Sequence, residues 1–171
     1  MDLVNNFKQG LDVAMLKLDV IKHLSDDKSD IKAVFLVVAV SILIATLGYV
    51  IFPVSYGGYL VYSPDLGWVI GHALGNFVIY VIFLYLIGYL AENLFYAKIS
   101  MEGFVRVMGH AAVISVLGIV PQLAVVGSIW SLVVLWKVLR DIGKLDEAPT
   151  VLLIIIAVIF LSALGYTGSA F

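Results

Sequence analysis

AVFLVVAVSILIATLGYVIF, residues 33–52, is a run of twenty residues without a charge, and it stops at Pro53. At 1.5 Å per residue such a helix covers about 30 Å, the thickness of a bilayer's hydrocarbon core. Proline then blocks its continuation. A segment of this length and polarity fits lipid rather than water, and four further runs repeat the pattern. They cover residues 68–91, 104–120, 123–139 and 150–168. Glu92 and Asn93 return the second to water, and Pro121 separates the third and fourth, which form a tight hairpin. Asp146 suits a cap for the last, with Pro149 in its first turn. The fold class expected is all-α: a polytopic five-helix transmembrane bundle over residues 33–171, preceded by a cytosolic segment at 1–32.

Composition agrees. The 171 residues are 63% hydrophobic and 13% charged, whereas soluble domains run roughly half apolar and a quarter charged. Five or six crossings and their connections would fill the chain, leaving no room for a soluble domain. Cysteine is absent, which excludes disulfides, thiolate metal sites and thiol nucleophiles. The first thirty residues mix both signs of charge without a compact apolar stretch, so the first run is expected to remain as an anchor.

Basic side chains give the orientation, because positively charged loops stay in the cytosol. Lys8, Lys17, Lys22, Lys28 and Lys32 precede the first run; Lys98 and Arg106 follow the second; Lys137, Arg140 and Lys144 follow the fourth. These are all ten. Five crossings place every one on the same side, with the N-terminus cytosolic and the C-terminus opposite. Tyr49, Tyr56, Tyr59, Tyr62, Trp68 and Tyr166 then fall at the outer interface, and Phe95, Tyr96, Phe104 and Trp136 at the inner one.

Val4, Phe7, Leu11, Ala14, Leu18 and Ile21 recur at three- and four-residue spacing, as in an amphipathic helix along the inner membrane surface. Val13, Leu16 and Val20 fall on the opposite side, which suits a helix clasped between membrane and protein. The polar stretch Ser25–Asp30 would end it. The inner face carries ten positive against eleven negative charges, since only Asp65 of the twelve acids lies outside. That balance supports neither polybasic lipid recognition nor nucleic-acid binding.

Polar side chains within spans are the first places to look for chemistry. His72, Asn76 and Tyr80 share one face of the second span, beside Gly71 and Gly75 at the spacing that lets helices approach closely. The functional reading is a polar seam for a proton or small solute, and the structural one is helix packing. Glu92, Glu102, Arg106 and His110 cluster around the second connection, where they could form a relay or gate or simply a solvated ion-paired loop. His23, His72 and His110 lie at different depths, so no metal site is expected. No nucleophile, phosphate-loop or paired-carboxylate pattern occurs, which predicts neither enzyme activity nor a cofactor. Gly109, Gly118, Gly127 and Gly165 suit close helix packing.

Phe95-Tyr96-Ala97-Lys98-Ile99-Ser100, then Phe104 through Ala111, then Ile119-Val120-Pro121, Gly127 and Trp130, then Leu145 through Pro149 stand in an order that resembles the Yip domain family. These membrane proteins are named for interaction with Ypt/Rab GTPases, and five spans with a cytosolic N-terminus are typical. The resemblance covers residues 95–160. This chain has Gly109-His110 where a Gly-Tyr pair is common, and it lacks the Asp-Leu-Tyr-Gly-Pro motif of eukaryotic members. GTPase binding is therefore left without its residues. The short N-terminal segment resembles prokaryotic relatives and implies a prokaryotic cell membrane. A noncatalytic scaffold, working by helix packing with itself or other membrane proteins, is the reading expected. A small channel or transporter, or an accessory subunit of a membrane complex, is the alternative.

Overall fold

The computed structural model describes residues 2–27, 31–52, 55–56, 59–60 and 65–163. Gly165 and the interfacial residues Tyr62 and Tyr166 lie outside them. The described chain is an α-helical bundle of seven helices: α1 (Leu3–Ala14), α2 (Leu18–Asp26), α3 (Lys32–Ile51), α4 (Leu66–Tyr89), α5 (Met101–Ala111), α6 (Pro121–Lys137) and α7 (Glu147–Ala163). Between α3 and α4, Ser55 pairs with Leu60 and Tyr56 with Tyr59 in a two-rung antiparallel ladder.

Four stretches are long and apolar enough to cross a bilayer: Lys32–Ile51, Leu66–Leu94, Met101–Ile119 and Gln122–Ile142. Apolar α7 is shorter over its described residues. Three of the starts have a local cause. The Asp65 carboxylate accepts from the Trp68 amide at 2.7 Å to open α4, Ser100 Oγ accepts from the Gly103 amide at 3.1 Å to open α5, and Pro121 occupies the first turn of α6. The spans start one to three residues earlier than the hydrophobic runs suggest, because these caps precede the apolar stretch.

The third span, α5 with its continuation, is 72% buried, against 33–39% for the other three, so it forms the centre of the bundle. After Ala111 it tightens into 3₁₀ geometry through Ile119. Its eight 3₁₀ residues rise ~2.0 Å each instead of ~1.5 Å, adding roughly 4 Å and bringing this short segment to about 32 Å. Around it Phe104, Leu84, Ile87, Leu135, Leu139 and Leu153 are fully buried.

The outward faces are equally apolar. Leu36, Leu43, Leu47 and Val50 stripe α3, while Ile70, Leu74, Val78 and Ile82 stripe α4, all exposed. Patches of this extent are untenable in water. In hydrocarbon the same faces meet their proper solvent, with backbone polar groups satisfied inside each helix. The protein is therefore an integral membrane protein.

The N-terminal segment departs from the single amphipathic helix expected. Leu16 adopts φ 59° and divides it into α1 and α2. Lys17 N donates to Asp12 O and Leu16 N to Val13 O, closing α1 with the bond pattern that usually places glycine at Leu16's position. Left-handed backbone costs a leucine about 1–2 kcal/mol, and packing of its side chain against the core offsets this. Lys17 Nζ also reaches Asp12 at 2.6 Å across the turn.

Candidate functional site

At one end of the bundle the starts of α3, α5 and α7 meet the ends of α4 and α6, and almost every charged residue gathers there. Both α4 and α6 finish in a single π-turn, Leu90–Leu94 and Val138–Ile142. The loops beyond are tied together: Lys98 N donates to Gly143 O at 2.8 Å, and an Arg140 guanidinium nitrogen to Leu145 O at 2.7 Å. Tyr96 and Lys144 hold φ 56° and 54° there.

Across this end α1 and α2 close on α5. A Cβ built at Gly10 would lie 2.6 Å from His110 O and 3.0 Å from Val113 Cγ2, so only glycine lets α1 approach this closely. Gly103 does the same for α2, where a Cβ would lie 2.5 Å from Ser25 O. Asn6 Oδ1 lies 3.2 Å from His110 Nε2, and His110 Nδ1 lies 2.9 Å from the Arg106 carbonyl. Trp130, which belonged to neither aromatic belt in the sequence, donates its indole N–H to Ala14 O at 2.7 Å. These bonds make the N-terminal segment a clasp rather than a separate surface helix. Val4, Leu11, Met15 and Leu18 remain exposed along its outer side.

The cluster expected at this end is partly assembled. Arg106, its side chain buried, donates to Glu102 at 3.1 Å, and with His110 these residues run up α5 at four-residue spacing. Glu92 turns away from them; its carboxylate accepts from the Met101 amide at 2.7 Å and caps α5 alongside Ser100. Arg106 Nε is buried without a hydrogen-bond partner. The column reaches the clasp through His110 and Asn6 and returns to the backbone of α5 through the Arg106 carbonyl. Among the described residues no group of His, Cys, Asp and Glu could hold a metal ion.

Residues 18–169 match the Yip1 domain. The chain belongs to the Yip1 domain family. No curated protein and no solved structure gives a significant match. The match reaches well beyond the residues 95–160 that carry the resemblance in sequence. It begins at Leu18, the first residue of α2, so α1 precedes the matched Yip1 region.

Within the spans of this Yip1 domain, the seam of His72, Asn76 and Tyr80 is interrupted. Tyr80 is buried and donates to Met108 O at 3.0 Å. His72 stacks on Trp68 with ring centroids 4.6 Å apart, and Tyr49 meets both edge-on. Asn76 between them makes no hydrogen bond with another described residue. At Gly71 and Gly75 an added Cβ would meet no other described element within 4 Å, because this face of α4 is exposed. At the other expected positions, a Cβ on Gly109 would strike the Val34 side chain, on Gly118 would lie 3.3 Å from Ala45 Cβ, and on Gly127 would lie 3.3 Å from Ile114 O. Gly48, not singled out in the sequence, closes on backbone, at 2.5 Å from Ile119 O. A cavity of about 340 Å³ lies between α4, α6, α7 and the 3₁₀ stretch. Of its serines, Ser115, Ser128 and Ser131 donate to carbonyls of their own helices, leaving an apolar lining.

Proposed function

We propose that this Yip1-domain chain is a noncatalytic membrane-organising scaffold that crosses the bilayer five times, with α7 as the fifth span and the clasp in the cytosol. It acts by packing α4 against a second copy of itself or another membrane protein. The observation that carries this reading is the open face of α4: Gly71 and Gly75 have no neighbour among the described residues, and the Asn76 amide beside them has no described partner. Small residues one turn apart let a second helix approach closely, and an amide in hydrocarbon gains about 0.6–2 kcal/mol from an interhelical hydrogen bond. Polar groups elsewhere in the bundle are largely engaged internally, which argues against a conducting seam.

The natural lack of thiols makes the test direct. Gly75→Cys and Val78→Cys, oxidised in native membranes, should give disulfide-linked dimers or a cross-linked partner, while lipid-facing Leu43→Cys on α3 should not. Asn76→Leu with Gly71→Leu should abolish the cross-links. Equal cross-linking from positions 43 and 78 would defeat the reading, as would ion or solute flux in proteoliposomes that His72→Ala abolishes in a folded protein.

A further inference from the structure

A cavity of about 330 Å³ opens at the charged end between α2, the α4–α5 loop and the α6–α7 loop. Lys22, Lys98 and Lys144 line it, with Ser100, Asp26 and Asp141. Three lysines from distant parts of the chain meet here because Lys98 N bonds Gly143 O and because Gly103 lets α2 settle beside α5. No hydrogen bond or ion pair joins the side-chain ammonium of any of the three to another described residue. Most other described basic groups are engaged: Lys17 by Asp12, Lys137 by Asp141, Arg106 by Glu102, and Arg140 by the Leu145 carbonyl.

The acids in the cavity do not cancel this charge. The Asp141 carboxylate is held by Lys137 at 2.8 Å, which leaves Asp26 against three ammonium groups. Ser100, the N-cap of α5, lies in the same wall and adds a hydroxyl to it. The near-neutral total of this face conceals the concentration, because neutralising acids are distributed elsewhere along α1, α2 and the loops. Lysines from three separate elements lining one cavity suit a ligand with several anionic oxygens on one centre, which is a phosphate rather than a carboxylate. Exposed Tyr89, Leu94 and Tyr96 stand at the same end, and aromatic residues in such positions mark headgroup depth.

We propose that this cavity binds a phosphate-bearing anion, with the headgroup of an anionic phospholipid as the form its depth favours. The site is separate from the α4 face and stands or falls independently of the scaffold reading. It can be tested on the full chain in phosphatidylcholine nanodiscs containing phosphatidic acid, with retained lipid read by native mass spectrometry, and with inorganic phosphate titrated calorimetrically in nanodiscs lacking phosphatidic acid. Each Lys→Gln change at 22, 98 or 144 should weaken binding roughly fivefold, and all three on the order of a hundredfold, from about 1 kcal/mol per lysine near an anionic surface. The corresponding Lys→Arg set should retain binding, and Lys8→Gln, a lysine outside the cavity, should leave it unchanged. Lysine-dependent binding of phosphatidic acid supports the lipid form; lysine-dependent binding of inorganic phosphate alone supports the site and overturns the lipid assignment. Unchanged binding in the triple Lys→Gln variant overturns the proposal, as does an equal loss from Lys8→Gln. If the triple variant does not fold, the single changes decide by the same criteria.

Discussion

Gly10→Leu should pull α1 off the bundle while leaving the spans folded. The backbone at Gly10 already sits so close to α5 that a single added carbon would lie 2.6 Å from His110 O. A leucine adds three more, and the neighbouring atoms are backbone oxygen and the branched Val113, which cannot yield. Overpacking of this kind costs about 1–3 kcal/mol, partly offset by ~1 kcal/mol of helix propensity regained over glycine. The strain is relieved by undocking, which sacrifices fully buried Val13, worth about 1.5–3 kcal/mol, and the Asn6 and Trp130 contacts, worth about 0.5–1.5 kcal/mol each. The docked state should therefore lose about 2 kcal/mol at the upper end of the strain, raising the open population roughly thirtyfold. Val13→Cys placed in both backgrounds reports this directly, since maleimide reacts only when α1 is open. Leucine at Gly71, which faces open space, provides the control and should leave the rate unchanged. Equal reactivity with glycine and leucine at position 10 would refute the claim that close backbone approach governs docking.

Three further outcomes follow from the same geometry. Trp130→Phe removes the indole donor to Ala14 O and should raise Val13→Cys labelling by a smaller factor, about 2- to 12-fold for one hydrogen bond; an unchanged rate would make that contact incidental. Gly48→Val, whose Cβ meets Ile119 backbone at 2.5 Å, should lower thermal stability in detergent by about 1–3 kcal/mol, whereas Gly75→Val should not. Asp12 holds the Lys17 ammonium above its ordinary value of 10.5 through a hydrogen bond and then through charge attraction. The associated preference for the closed turn is present below 10.5 and lost as pH rises through the folded value; a Lys17 side-chain NMR titration should show a raised midpoint that Asp12→Asn lowers.

The lipid-crossing stretches are legible in sequence because hydrocarbon imposes a length and expels charge from it, so residues 33–52 announce what the structure places at Lys32–Ile51. Helix contacts carry no comparable local signature. Gly71 and Gly75 present the spacing associated with close packing yet face outward, while Gly10 and Gly103 have no such spacing and bring neighbouring backbones together at the charged end. What decides each case is a partner elsewhere in the chain. Leu16 hides the division between α1 and α2 for a related reason: the turn takes a residue that ordinarily avoids it, sustained by tertiary packing. The cluster at 92–110 was recognisable from charge and spacing, but the diversion of Glu92 to a cap depends on where the following helix begins. Lys22, Lys98 and Lys144 converge only after three connections have been folded.

The clasp also imposes an order on biogenesis. Asn6 and His110 are 104 residues apart, and Ala14 and Trp130 are 116 apart. At ribosomal rates of ~5–20 residues per second, the glycine face of α1 waits about 5–20 s before its receptor surface exists. During that interval the nascent N-terminus carries apolar side chains on both sides, and an insertase, a chaperone or the bilayer surface must shelter it until the third span arrives.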